Sequence, residues 1–146
     1  MAPMIFAKNI ISKKPIKIFN YGKMFRDFTY VDDVTEAIIK LINKPATSEK
    51  ISEDILNPSL SWAPHKIFNL GNSNSVSIMQ LIEIIEDELD IKAVKEFTDI
   101  KPGDVEITAA DTEKLNSWIG YKPSTSLKKG VREFIKWYKF FYKIEN

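Results

Sequence analysis

The chain has 146 residues, 44% hydrophobic and 12% aromatic, the size and composition of one globular domain with a real core and not of a disordered chain. Lysine and arginine (21) balance aspartate and glutamate (20), so no broad field exists to hold a nucleic acid or an anionic membrane surface, and any anion site must be local. The lack of cysteine and the single histidine, His65, remove disulfide frameworks, thiol nucleophiles and Cys/His zinc sites, and fit a cytoplasmic protein.

From the amino terminus, Met4, Ile5, Ala7 and Ile11 make a loose helical stripe closed by Pro15. The stripe starts at once, without a capping residue or a cleavable leader, so the beginning looks cut. Residues 16 to 20 ("IKIFN") and 25 to 31 ("FRDFTYV") read as two short strands joined across a turn at Gly22. Asp33 and Glu36 have capping-box spacing, and Val34, Ala37, Ile38, Leu41 and Ile42 follow at helical intervals. Residues 44 to 64 carry three prolines and no sustained period, which predicts a long loop that is mobile or covers something.

Lys66 to Leu70 reads as a buried strand, followed by a Gly/Asn/Ser turn. A helix then starts at a Ser77 cap with Gln80, striped by Ile78, Leu81, Ile82, Ile85 and Leu89. Residues 92 to 98 form a strand and 99 to 105 a tight loop. Asp111 caps a short helix ending at Gly120, and residues 127 to 142 make a last amphipathic helix with its lysines on a solvated face. Alternating strands and helices argue for an α/β fold, yet only about four strands are visible where a parallel sheet wants more, so the sheet is expected to be incomplete. No apolar run approaches the ~20 residues of a spanning helix.

The chain's five glycines are too far apart for a dinucleotide or phosphate cradle. No tyrosine is followed four residues later by lysine, and His65 has no obvious triad partner, so no self-contained catalytic constellation exists. Single polar residues remain. Arg26 reads either as a surface residue paired with Asp27 or Asp32, or as a planar fork for a phosphate. Asn69 ends a strand, where it either satisfies backbone or faces a ligand. Lys101 sits in an ordinary-looking "KPGD" turn as a possible second cation.

In order, "KIFNYGKMFRDFTYVDDV", "FNLGNSNSVSIMQLIEIIEDEL" and "KPGDVEITAADTEKLNSWIGYKPSTSLKKGVREFIKWY" resemble the carboxyl-terminal half of extended short-chain dehydrogenases/reductases. More narrowly they are similar to the nucleotide-sugar epimerases and dehydratases, and the proline-rich loop before "FNLGN" is similar to that of the UDP-glucuronate epimerases. The resemblance implies an NAD-dependent enzyme of which residues 1–146 are the substrate-binding carboxyl-terminal part, with the Rossmann domain and the Tyr-x-x-x-Lys pair upstream. The strand at 66 to 70 would then complete the edge of the Rossmann sheet. It also implies that Arg26 contacts the diphosphate of a UDP-sugar, that the backbone at Ile18 and Phe19 holds the uracil, and that Asn69 lies near the phosphates. Lys101 stands where many relatives have a second arginine, supplying charge without a bidentate fork. Asp27, Asp32 and Asp33 become the supports that orient Arg26 and start the helix.

The implied fragment is not catalytic alone, holds no NAD of its own, and is expected to self-associate through the surface an absent Rossmann domain would cover. Alternatives are part of a nucleotide-sugar dehydratase, or a non-enzymatic module that binds a protein partner.

Overall fold

A computed structural model describes residues 2–47 and 63–144. The elements are helix α1 (Ala2–Ile11), strands β1 (Ile16–Ile18) and β2 (Phe25–Asp27), helix α2 (Val31–Ile42), strand β3 (Ser75–Ser77), helix α3 (Ile78–Leu89), strand β4 (Lys95–Phe97), and helices α4 (Glu113–Ile119) and α5 (Leu127–Phe141). The fold is mixed α/β with few strands. The bulk of the 44 to 64 loop lies outside the described residues.

The core forms where α1, α3 and α5 converge on β1. Phe6, Ala7 and Ile10 meet Ile16 and Ile18, then Leu81, Ile82, Ile85 and Leu89, then Val131, Ile135 and Tyr138. Helix α3 is central because its apolar stripe runs its whole length, and Ser77 caps it by accepting the Gln80 N–H, as its sequence predicts. Helix α5 starts the same way, with the Ser126 hydroxyl accepting from Lys129 N–H. In α1 the buried face is Phe6, Ala7 and Ile10, whereas Ile5 of the expected stripe is 55% exposed. Ten residues with apolar side chains nearly all round do not reveal which face turns inward.

The two strands joined across the turn at Gly22 do not pair with each other. β1 pairs in parallel with β4 in the register Ile16↔Lys95 to Ile18↔Phe97, and β2 pairs antiparallel with β3, Arg26 opposite Val76. The cause is the link between them. Phe19–Gly22 winds into a 3-10 turn in which Asn20 (φ 49), Tyr21 (φ 51) and Gly22 (φ 80) are all left-handed, which swings the chain out of the first sheet. Gly22 is required there twice over, since a Cβ would lie 2.9 Å from the Met79 side chain.

Three further expectations need correction. Residues 67–70 form no strand, and only residue 66 makes an isolated bridge. An extended apolar segment needs a ladder neighbour, and those four residues have none among the described residues. Ser75–Ser77, expected as part of a turn, is a strand instead because β2 supplies its neighbour. Asp33 is not a cap. Tyr30 takes the N-cap position of α2 with no side-chain bond, and Asp33 is buried in the first turn. Its carboxylate accepts from Tyr121 Oη (3.2 Å), Thr125 N (3.1 Å) and Thr125 Oγ1 (3.0 Å), fastening α2 to the chain between α4 and α5. Burial and the Asp33 charge push the Tyr121 phenol up to about 12, so it stays a donor. On the same helix Ala37 is buried, but Ile38 and Ile42 of the expected stripe are 49% and 71% exposed.

Glu86, 3% exposed, joins α3 to β4: it accepts the Ala93 N–H at 2.8 Å, pairs with Lys92 at 3.4 Å and bonds Lys95. Burial raises its carboxyl pKa, but the bonds from Lys95 and Ala93 outweigh burial and the net displacement is downward. A depressed carboxylate stabilises the fold above its unfolded pKa, and that contribution disappears as pH falls through the folded value, below the ordinary 4.5. Glu86→Gln is therefore expected to cost about 1–3 kcal/mol at neutral pH. It should also flatten the acid limb of stability against pH, measured by urea denaturation at successive pH values. An unchanged acid limb would contradict this account.

Candidate functional site

β2 lines, with β1, α1, α3, α5 and the 101–104 turn, a cleft of about 1520 Å³. Pleating sends neighbouring residues of a strand to opposite faces, and Arg26 and Asp27 accordingly have different partners. Arg26 Nη1 donates to the carbonyls of Phe25 (2.8 Å) and Glu106 (3.1 Å), and Nη2 donates to Asp104 Oδ1 (2.8 Å). The Glu106 carbonyl also accepts the Phe25 N–H at 2.8 Å, so the guanidinium closes the end of a short backbone pairing between β2 and residues 106–108. The fork is held at two nitrogens while the side chain stays 24% exposed.

Four of the five residues singled out from the sequence line this cleft: Ile18, Phe19, Arg26 and Lys101. Ile18 is a core residue at 1% exposure, and its carbonyl accepts the Thr98 N–H at 2.9 Å, so its part in any site is that of backbone support. Lys101 Nζ stands 4.3 Å above the Phe19 ring, a cation–π contact that joins the two positions. Asn69 is exposed and is not among the lining residues. Toward α1 and α5 the cleft is apolar, walled by Met4, Ile5, Phe134 and Trp137.

The expected supports of Arg26 are not its partners. Asp27 turns away and accepts the N–H groups of Asn72 (3.0 Å), Ser73 (3.0 Å) and Ala110 (3.2 Å). Asp33 serves the 121–125 segment, and Asp32 sits exposed in the first turn of α2. The partner the sequence reading missed is Asp104, whose Oδ1 also accepts the Val105 N–H at 3.0 Å. A carboxylate far along the chain from the arginine leaves no local signal; its only mark is the short "PGD" turn that aims it. Among the described residues no group of acidic or histidine side chains is spaced to hold a metal, and no helix is long and apolar enough to cross a membrane.

A family model described as GDP-mannose 4,6 dehydratase matches residues 3–134. An uncharacterized 37.6 kDa protein of Escherichia coli O111:H- is 43% identical over 145 residues, covering 99% of this chain and 43% of its own. A probable UDP-glucuronate 4-epimerase of Rhizobium meliloti is 34% identical over 140 residues, 94% of this chain and 41% of its own. The crystal structure of UDP-glucuronic acid 4-epimerase from Bacillus cereus in complex with NAD superposes with a TM-score of 0.73 at 25% identity, over 100% of this chain and 40% of that one. The chain thus spans about two fifths of the length of these proteins.

With Arg26 and Asp104 24% and 36% exposed, their pair is screened by solvent and its role is to aim the fork rather than to hold the fold. Asp104→Asn is therefore expected to change unfolding free energy by less than about 1 kcal/mol. A loss several times larger in chemical denaturation would make the pair a structural element.

Proposed function

The chain belongs to the GDP-mannose 4,6 dehydratase family, and from that membership we propose that it is the substrate-binding part of an NAD-dependent nucleotide-sugar epimerase, acting on a UDP-sugar of the UDP-glucuronate kind. The observation that carries this reading is the pre-aimed Arg26 fork in a cleft shared with Phe19 and Lys101. Relatives whose names specify UDP-glucuronate 4-epimerases match across nearly the whole chain and support the sugar class.

In this reading Arg26 neutralises the diphosphate, the Phe19 backbone borders the uracil, and Lys101, riding on the Phe19 ring, lies between base and phosphates. A diphosphate entering a largely apolar cleft loses water, and a fixed cation compensates without reorganising. Holding both ends of the nucleotide leaves the sugar as the free end, so its orientation is set by groups that do no chemistry themselves. Asn69, exposed and outside the cleft lining, is assigned to the vicinity of the phosphates by the family likeness.

The residues of this chain do not fit NAD. Gly22, Gly103 and Gly120 take left-handed conformations in three separate turns, Gly71 lies in the loop ahead of β3, and Gly130 is inside α5. None stands between a strand and a helix start, where a dinucleotide's pyrophosphate is cradled. The dinucleotide and the reacting acid–base groups belong, on this proposal, to a Rossmann domain of the longer protein, whose sheet the 66 to 70 segment would extend. Residues 1–146 are then the carboxyl-terminal substrate domain, not catalytic alone, and a cytoplasmic setting fits its nucleotide substrate. Exposed apolar side chains on α2 and at the end of α5, Ile42 at 71% and Phe140 at 84%, make the isolated chain prone to self-association.

A thermal melt with excess UDP tests the reading. UDP should raise the melting temperature, and Arg26→Ala should weaken UDP by roughly 10- to 100-fold, the worth of a charge-assisted hydrogen bond. A folded wild-type chain whose melt ignores UDP would overturn it.

A further inference from the structure

We propose that Asp27 is the positioning residue of the phosphate site, setting where Arg26 stands relative to Asn69. The inference rests on the reading of the cleft as a UDP-sugar site. Asp27 follows Arg26 on β2, but its carboxylate lies against the loop that leads from Asn69 into β3. Oδ1 accepts the Asn72 N–H at 3.0 Å, and Oδ2 accepts those of Ser73 at 3.0 Å and Ala110 at 3.2 Å. One carboxylate thus joins three chain segments: the arginine strand, the Asn69 loop and the stretch running back from residue 110 to Glu106, whose carbonyl receives Arg26 Nη1 at 3.1 Å.

The approach is too close to be incidental. A Cβ on Gly71 would fall 2.5 Å from the Ala110 Cβ and 2.8 Å from Asp27 Oδ2, so only glycine lets the loop reach the carboxylate. Ser73 is held left-handed at φ 53, a conformation that costs energy in a residue other than glycine and persists when its surroundings over-determine it. Besides its N–H bond to Asp27, its hydroxyl bonds the Ala110 carbonyl at 3.0 Å and the Thr112 hydroxyl at 2.8 Å. Three backbone donors on a carboxylate that the Arg26 guanidinium does not touch describe a clamp, not an ion pair. Its product is a fixed separation between the cation that meets the diphosphate and the amide two residues before Gly71.

The base end of the cleft, at Ile18 and Phe19, is tied through the Ile18 carbonyl to the Thr98 N–H just past β4 and lies outside this clamp. That separation makes the proposal testable on the chain as it stands, by NMR titration with UDP and with uridine. Asp27→Asn keeps the side chain's size but turns an amide against N–H donors. It should weaken UDP roughly tenfold, about the worth of one net hydrogen bond, leave uridine affinity unchanged, and speed amide exchange at Asn72, Ser73 and Ala110. Gly71→Ala, which presses on the same carboxylate from the loop side, should give the same split between the two ligands. Equal weakening of UDP and uridine would reduce Asp27 to a structural role. A wild-type UDP affinity in Asp27→Asn, or unaltered exchange at Asn72 and Ser73, overturns the clamp. A wild-type chain that ignores UDP sinks the cleft reading instead, and the positioning role with it.

Discussion

On the proposed function, the cation that meets the diphosphate has to be fixed before its ligand arrives, and in this chain that constraint falls on the three residues of β2. β2 is too short to hold itself. It is held by β3 on one side, by the single pairing of Phe25 with Ile107 on the other, and by the three N–H groups gathered on Asp27. The Arg26 guanidinium closes the arrangement by taking the Phe25 and Glu106 carbonyls, so binding group and backbone pairing support one another. A guanidinium suits this task because its planar fork, anchored here at both Nη1 and Nη2, has five N–H donors and keeps some of them for a ligand.

The core and the cleft share α3 but divide its surface. Leu81, Ile82 and Ile85 bury completely between α1 and α5, while Ser77 both ends β3 and caps the helix, so the helix cannot shift without dragging the strand that pairs with Arg26. At its other end Glu86 locks α3 to β4, which in turn pairs with β1 and sets where Phe19 emerges. The left-handed turn from Asn20 to Gly22 then carries the chain from one sheet to the other. On the proposed reading, the two ends of the nucleotide would thereby be referred to the same helix through different strands.

Local signals were legible and long-range pairings were not. Ser77 with Gln80, the stripe of α3 and the Gly120 stop, left-handed at φ 64, all rest on contacts within a few residues and read directly from the chain. Strand partners do not, which is why the separate partners of β1 and β2 could not be read, and why Lys66 to Leu70, with strand composition, forms no strand among the described residues. Carboxylates were misread for the same reason. Asp27 and Asp33 stand beside Arg26 in sequence, but pleating and helix geometry turn them to the 72–73 and 121–125 segments, and the arginine's partner arrives from Asp104. Of the residues that line the cleft, Arg26 and Lys101 stood out as charged candidates in the sequence, whereas Ile18 and Phe19 were singled out only through the ordered motifs.

On the proposed function, this chain places a nucleoside diphosphate on Arg26 by itself. The most direct measurement is the side-chain spectrum of the 15N-labelled arginines as UDP is added. The account predicts that the Arg26 guanidinium resonances shift with saturation while those of Arg132, paired with Glu88 at 3.2 Å on α5, stay where they are. Equal small shifts at both arginines, or a response confined to Arg132, would mean that UDP meets only surface charge and would contradict the claim.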